Sequence, residues 1–190
     1  MRRYAPRAYE KLELPENVEE WARYTFRTRT DHTLLFFTDL GNCYPLSVGA
    51  LTELTRPKER GVSLQGVLNG LEKGEKCVTL MDVAPGVLKT MGDFVFYTEN
   101  GMIKRTSAAE YDVRRARVAA LTLKDGDRLL SVETLPDGDD LLMMTRGGMC
   151  IRFRADTVPA TGRVSAGVKG IRLDGDDRLL AGWTMNNQSQ

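Results

Sequence analysis

Apolar residues in this chain gather into short runs, each stopped by Thr, Gly, Asn or Asp. One such run, closed by Thr, two residues and Gly, occurs three times. The copies are Leu34-Leu35-Phe36-Phe37-Thr38 ending at Gly41, Phe94-Val95-Phe96-Tyr97-Thr98 ending at Gly101, and Leu141-Leu142-Met143-Met144-Thr145 ending at Gly148. A second signature follows each copy: Leu71-Glu72-Lys73-Gly74-Glu75, Leu123-Lys124-Asp125-Gly126-Asp127 and Leu173-Asp174-Gly175-Asp176-Asp177, the last with its glycine one place early. Each signature leads into another apolar run, such as Arg128-Leu129-Leu130-Ser131-Val132. Thr38 and Thr98 are 60 residues apart and Thr98 and Thr145 are 47 apart; the difference lies in a polar stretch rich in Arg and Lys. No run has the 3.6-residue apolar period of a helix, and Ile, Val, Phe, Tyr and Thr dominate. Each unit therefore reads as four strands with tight turns, and the Asn100-Gly101 pair predicts a hairpin with both turn residues at positive φ. Four strands at a period near 50 is the size of a propeller-like blade.

The opening residues extend the pattern. Arg2-Arg3-Tyr4-Ala5-Pro6-Arg7-Ala8-Tyr9 matches Lys104-Arg105-Thr106-Ser107-Ala108-Ala109-Glu110-Tyr111 in length and shape. The chain is thus expected to begin inside a blade and to be a piece of something longer. Between Trp21 and Thr30, apolar Ala22, Tyr24 and Phe26 alternate with Arg23, Arg27 and Arg29, which predicts a half-buried strand with a basic outer face. The expected organisation is all-β. It is one array over 1–185 with a partial blade at 1–30, repeats at 31–90, 91–137 and 138–185, and a polar tail at 186–190.

Composition narrows the class. The chain has 190 residues, 42% hydrophobic and 28% charged, with a formal net charge of +1. That is too apolar for a disordered chain, and no run approaches the ~20 residues of a membrane helix. The Met1-Arg2-Arg3-Tyr4 opening has no apolar stretch and does not read as a secretory signal. Cys43, Cys77 and Cys150 are too far apart for a zinc site and odd in number, so they read as buried free thiols of a cytosolic protein. The small net charge speaks against a wholly basic nucleic-acid binder, but leaves local patches open.

Leu34-Leu-Phe-Phe-Thr-Asp-Leu-Gly-Asn-Cys-Tyr44, Gly101-Met-Ile-Lys-Arg-Thr106, Glu110-Tyr111 and Gly162-Arg-Val-Ser-Ala-Gly-Val-Lys-Gly-Ile-Arg-Leu173 carry a resemblance. From Arg2 to about Trp183 the units resemble the C-terminal β-pinwheel domain of the A subunit of bacterial type IIA DNA topoisomerases, DNA gyrase and topoisomerase IV. That resemblance implies a blade-swapped propeller that bends double-stranded DNA around a basic rim. It also implies a cytoplasmic, nucleoid-associated protein working with the rest of the A subunit, together with an ATPase B subunit. Catalysis in that family lies in other domains, so no cofactor and no catalytic residue is expected here. The Gln-Arg-Arg-Gly-Gly-x-Gly box of gyrase's first blade has no match: Arg114-Arg115-Ala116-Arg117-Val118 lacks the paired glycines, and Glu10-Lys11-Leu12-Glu13 fills the loop of the partial unit. A start in the first blade then points to topoisomerase IV, whereas blades preceding Met1 leave gyrase equally open.

Aligning the units on their T-x-x-G glycines gives candidate DNA contacts. Arg105 and Arg152 fall four places after Gly101 and Gly148, Arg3 joins them by its match to the Lys104–Tyr111 stretch, and Pro45 holds the place in the remaining unit. Lys104 and Arg154 neighbour these ranks. The polar loops add Arg56, Lys58 and Arg60, then Arg114, Arg115 and Arg117, then Arg163, Lys169 and Arg172. One basic cluster per blade suits a phosphate backbone, whose charges recur regularly and carry no sequence information. Arg114, Arg115 and Arg117 are expected beside Arg105.

The acidic residues Glu72, Glu75, Asp125, Asp127, Asp137, Asp139, Asp140, Asp174, Asp176 and Asp177 fall at turns, which suits structural roles at the other end of each blade better than acid–base catalysis. His32, the single histidine, has no nucleophile in its pattern and reads as a turn residue. Gly162 and Gly167 have the spacing of a phosphate loop, but Val168-Lys169 breaks the motif. Phe36, Phe37, Phe94 and Phe96 lie inside apolar runs and read as core before base-stacking platforms. The rival reading is a propeller that binds proteins through a surface whose arginines are ordinary; an enzyme with a funnel site finds no residues to nominate.

Overall fold

The computed structural model describes residues 1–13, 22–56, 58–135 and 139–185. β1 (Arg3–Tyr4) leads into a single helical turn, α1 (Pro6–Tyr9). The first full repeat holds β2 (Thr33–Thr38), β3 (Asn42–Ser47), β4 (Glu53–Leu54), the short helix α2 (Leu64–Val67) and β5 (Cys77–Val83). The second holds β6 (Asp93–Thr98), β7 (Met102–Ser107), β8 (Val118–Ala119) and β9 (Leu129–Leu135). The third holds β10 (Asp140–Thr145), β11 (Cys150–Arg154), β12 (Val168–Lys169) and β13 (Leu179–Met185). The three T-x-x-G runs are β2, β6 and β10, and each lies between two antiparallel partners in its own sheet.

The sheets exchange strands. Their orders are β5-β2-β3-β8, β9-β6-β7-β12 and β13-β10-β11, so the outermost strand of the first two comes from the following repeat. β8 meets β3 at Cys43↔Val118, and β12 meets β7 at Ile103↔Val168. Among the described residues nothing pairs with the outer edge of β11, so the third blade has three strands where the sequence predicts four. β1 pairs in parallel with β4 through Arg3↔Glu53, and a parallel bridge joins Arg105 to Ala160. Arg3 therefore holds the place of Arg105. The Gly-Val-Lys-Gly run is built for strand exchange: a Cβ on Gly167 would collide with the Ile103 carbonyl oxygen, and one on Gly170 would lie 2.5 Å from the Met143 sulfur. Only glycine lets the exchanged strand approach so closely.

The core sits between blades. Leu35 and Phe37 of β2 pack against Phe94 and Phe96 of β6, whereas Val95 and Tyr97 of β6 pack against Leu141 and Met143 of β10. Successive side chains of β6 thus serve two different cores, which is why its run is continuously apolar and does not alternate with polar residues. The Phe37 ring stands edge-on to Phe94, Phe96 and Tyr111, all at 5.8 Å.

Both repeated signatures meet at one end of each blade. Gly101 has φ +79°, while no non-glycine residue has positive φ among the described residues. The Asn100-Gly101 hairpin is therefore not the expected type I′ turn. The Gly101 N–H donates to the Thr98 carbonyl three residues back, as in a type I turn followed by glycine in the left-handed region. The acid of the second signature clamps this hairpin. Glu75 is buried and accepts from the Thr38 hydroxyl (2.5 Å), the Asn42 amide (2.9 Å), the Tyr44 hydroxyl (2.9 Å) and the Glu72 N–H (2.8 Å). Burial alone would raise the Glu75 pKa, but these donors hold it below the ordinary value. Asp127 accepts from the Asn100 N–H, and Asp177 from the Gly147 N–H.

Three expectations need correction. Residues 22–29 form no strand: Tyr24 and Phe26 are exposed, and the segment is tied to β5 by side chains, with the Tyr24 hydroxyl on the Val78 carbonyl and the Thr28 hydroxyl on Asp82. The segment lies beside the outer edge of β5 but joins it through side chains and not through a backbone ladder. Cys43 is buried and Cys77 half-buried, but Cys150 is exposed, because it lies on the open edge of β11. Lys104, which the sequence places with the DNA contacts, is buried at 1% exposure. Trp21, Asp137 and the tail at 186–190 lie outside the described residues.

Candidate nucleic-acid interface

The ranks aligned on the T-x-x-G glycines are structurally equivalent: Leu35↔Pro45, Val95↔Arg105 and Leu142↔Arg152 are matching cross-strand pairs. Two of the arginines at this rank, Arg105 and Arg3, reach into the neighbouring repeat. Arg105 donates from Nε to Asp93 (2.5 Å) and from Nη1 to the carbonyls of Ala155 (3.2 Å) and Val158 (3.4 Å). It thereby caps the 3-10 turn Ala155–Thr157 of the next repeat. Arg3 does the same one repeat earlier, reaching the Leu51 carbonyl (2.6 Å) and Glu53 (2.9 Å). Arg152 keeps the equivalent ion pair, Nε to Asp140 at 2.7 Å, and its side chain is 54% exposed.

The neighbour of Arg105 is thus the 155–161 segment of the third repeat, because strand exchange brings that segment there in place of the loop at 112–117. Arg105→Ala should leave Asp93 half-buried without its partner and uncap the turn. We expect about 2–4 kcal/mol less stability by urea unfolding, whereas a change within 0.5 kcal/mol would mean the staple is dispensable.

Lys104 is withdrawn from the interface. Its ammonium donates to the carbonyls of Arg163 (2.6 Å) and Ala120 (2.8 Å) and to the Tyr111 hydroxyl (3.3 Å), over the ring of Phe96. Arg154 is exposed but bidentate to Asp156, within two residues; that hydrogen bond holds the Asp156 carboxyl below its usual range.

The loop cations lie outside. Arg56, Lys58, Arg60, Arg114, Arg115, Lys169 and Arg172 are exposed, the last 3.8 Å from Asp174. Arg117 and Arg163 are exposed or half-exposed and tie successive repeats together: Arg117 Nη1 donates to the Gly70 carbonyl (3.2 Å) and Arg163 Nη1 to the Ala119 carbonyl (2.7 Å). Arg114, Arg115, Arg117 and Arg163 precede the strand handed to the preceding blade, Lys169 lies in that strand and Arg172 just beyond it, and Arg56, Lys58 and Arg60 follow β4, so all lie between the second and the last strand of their repeats.

Sequence reasoning missed a second set of cations at the hairpin end. Arg128 pairs with Asp39 of the preceding repeat (2.7 Å) and Arg146 approaches Glu99 (3.8 Å). Backbone bonds run alongside, Leu129 N–H to the Asp39 carbonyl and Leu179 N–H to the Glu99 carbonyl. For Arg128 the available signal was the basic residue directly after each clamp acid, Lys76, Arg128 and Arg178; Arg146, next to Thr145 in the hairpin, had none.

The remaining chemistry is sparse. His32 Nδ1 lies 3.0 Å from Asp82, which also accepts from Thr28, and this pair anchors the segment before β2. Among the described residues no group of three His, Cys, Asp or Glu could hold a metal ion, and no helix is long and apolar enough to cross a membrane.

Comparison with known proteins agrees with this architecture. The family model described as "DNA gyrase C-terminal domain, beta-propeller" matches residues 32–84, 93–136 and 139–181, one segment per repeat. The DNA gyrase A subunit of Deinococcus deserti is 36% identical over 150 residues, 78% of this chain and 18% of that protein. Its counterpart in Salmonella typhimurium is 33% identical over 156 residues, 80% of this chain and 17% of its own length. The chain thus spans under a fifth of these relatives. Among solved structures, the C-terminal domain of DNA topoisomerase IV superposes with a TM-score of 0.76 at 26% identity, over 83% of this chain and 48% of that one. The DNA gyrase A C-terminal domain superposes at 0.64 with 20% identity, a likeness of fold alone. With every T-x-x-G repeat matched, the chain belongs to the DNA gyrase A C-terminal β-propeller family.

Proposed function

We propose that this chain binds duplex DNA without sequence preference and bends it along the loops of successive blades. In this reading it presents DNA to the strand-passage machinery formed by the remainder of a type II topoisomerase A subunit, together with its ATPase B subunit, and has no catalytic role of its own. The observation that carries the reading is the exposure of Arg56, Lys58 and Arg60, Arg114 and Arg115, and Lys169 and Arg172, which lie between the second and the last strand of three successive repeats. Repetition of cations at the blade period supplies charge at intervals to a backbone that is itself periodic, and base edges need not be read. Family membership supports the same reading.

The test is binding of two unrelated duplexes across a salt series. Affinity should fall linearly on logarithmic axes with a slope of several units, equally for both sequences, and end-labelled duplexes should draw their ends together on binding. Binding that ignores salt, or a strong preference for one duplex, would sink the proposal and favour a protein-binding propeller.

A further inference from the structure

Lys104 occupies a place that Tyr44 and Ile151 hold in the first and third repeats. It lies opposite Phe96 in the β6–β7 pair, facing the first blade, as Tyr44 lies opposite Phe36 in the β2–β3 pair. The three acceptors of its ammonium belong to three different stretches. Tyr111 ends the turn that follows β7, Ala120 follows the strand handed to the first blade, and Arg163 lies in the basic loop of the third repeat.

That loop is fastened around the same point. The Arg163 N–H donates to Glu110 (2.6 Å), the Thr122 N–H to the Ser165 carbonyl (3.2 Å) and the Thr122 hydroxyl to the Val164 carbonyl (2.5 Å). The first repeat has an analogous joint. The Tyr44 hydroxyl and the Arg117 guanidinium of the next repeat both reach the Gly70 carbonyl, at 3.2 Å each. At each joint a buried polar tip from the third rank of β3 or β7 meets the arginine loop of a neighbouring repeat.

We propose that Lys104 is a positioning residue of the basic rim, whose ammonium locks the Arg163 loop of the third repeat to the end of β8 and so fixes the spacing between the arginine clusters of the second and third repeats. The consequence for DNA rests on the function proposed above; the lock itself does not.

The charged groups that face Lys104 are Glu110 and Arg163, with the neutral Tyr111 hydroxyl beside them. Burial, opposed by Glu110 and assisted by Arg163, lowers the ammonium from its ordinary value to about 8. When the loop lifts, water reaches the ammonium and its pKa returns toward the ordinary range. The covered state therefore binds the proton less tightly than the lifted one. Raising the pH through the window from about 8 to about 10.5 favours the covered state, and below that window pH has no effect through this group.

The experiment is a spin-label distance measurement on the full chain between Ala116→Cys and Val164→Cys, both exposed, with Cys77→Ser and Cys150→Ser and the buried Cys43 left in place. The distance distribution should be narrow, should narrow further between pH 7.5 and pH 9.5, and should broaden and lose its pH response in Lys104→Met. A chain with Lys104 intact that shows no pH response overturns the lock without any substitution at 104, so misfolding of Lys104→Met leaves the test decisive. Equal distributions in both proteins overturn it as well. In parallel, duplex affinity of Lys104→Met should fall by roughly threefold or more, with its unfolding midpoint near that of the parent. If the parent binds no duplex, the rim reading fails while the distances still decide the lock. If the parent binds and Lys104→Met binds equally, the positioning role fails alone.

Discussion

Phe94→Ala should remove about 3–5 kcal/mol of stability, the cost of truncating a fully buried phenylalanine. The side chain is 0% exposed and lies in the core between the first two blades, against the rings of Phe37 (5.8 Å) and Tyr111 (5.4 Å). Collapse around the void is restricted, because two sheets on opposite sides hold the surrounding side chains in register. A chain of this size loses roughly 2–4 °C of unfolding midpoint per kcal/mol, so the expected drop is about 10 °C. The effect should also be localised. The second core, between β6 and β10, uses Val95 and Tyr97 from the opposite face of the same strand. Hydrogen exchange should therefore rise more in β2 and β5 than in β10 and β13. Phe26→Ala is the comparison, since that ring is 44% exposed and its truncation should stay within about 0.5 kcal/mol. Equal losses at the two positions would mean that the blade interface does not hold the array together.

Much of this arrangement is written in local patterns. The continuous apolar runs, the Thr-x-x-Gly turns and the acid after the second glycine are all short-range signals, and each maps onto one contact: a two-sided central strand, a turn followed by left-handed glycine, a carboxylate clamp. The equivalence of Arg3 and Arg105 was also legible, because the two stretches share a sequence shape. Strand exchange hides the rest. Whether Arg105 faces solvent depends on which segment lies beside it, and that segment, 155–161, is some fifty residues away. Repeat alignment put Arg105 and Arg152 at one rank correctly, yet it carries no information on what covers that rank. Residues 22–29 show the same limit: alternation promised a strand, yet the segment lies against β5 through side-chain bonds and forms no backbone ladder. Arginine at a repeated position is thus an ambiguous signal in this fold. Arg3 and Arg105 cap the turn of a neighbouring repeat and Arg117 and Arg163 tie repeats together, whereas Arg56, Arg60, Arg114 and Arg115 are left exposed.

That division sets the terms of the rim test. Arg60, Arg114 and Arg115 are exposed and stand in two successive loops, so changing all three to Ala should leave the circular dichroism and the unfolding midpoint unchanged. If each contacts one phosphate, the slope of log affinity against log salt should shrink by ~0.9 per residue, about 2.7 for the triple change. Carried from a molar reference to physiological salt, that slope corresponds to roughly a hundredfold loss of affinity. Sequence preference should not change, since phosphates carry none. Arg105 is left out of the set, because its loss would lower stability and so mimic a loss of binding. Lys73→Ala with Lys124→Ala supplies the control: both lysines are exposed or half-exposed, in the turns that carry the clamp acids at the hairpin end. Their removal changes net charge without touching the loops, and overall charge acts on association only through a screened field. Per charge removed, the loop variants should lose several times more slope than the control pair. Equal losses per charge would assign binding to the general field of the chain and not to a track of loops along its blades.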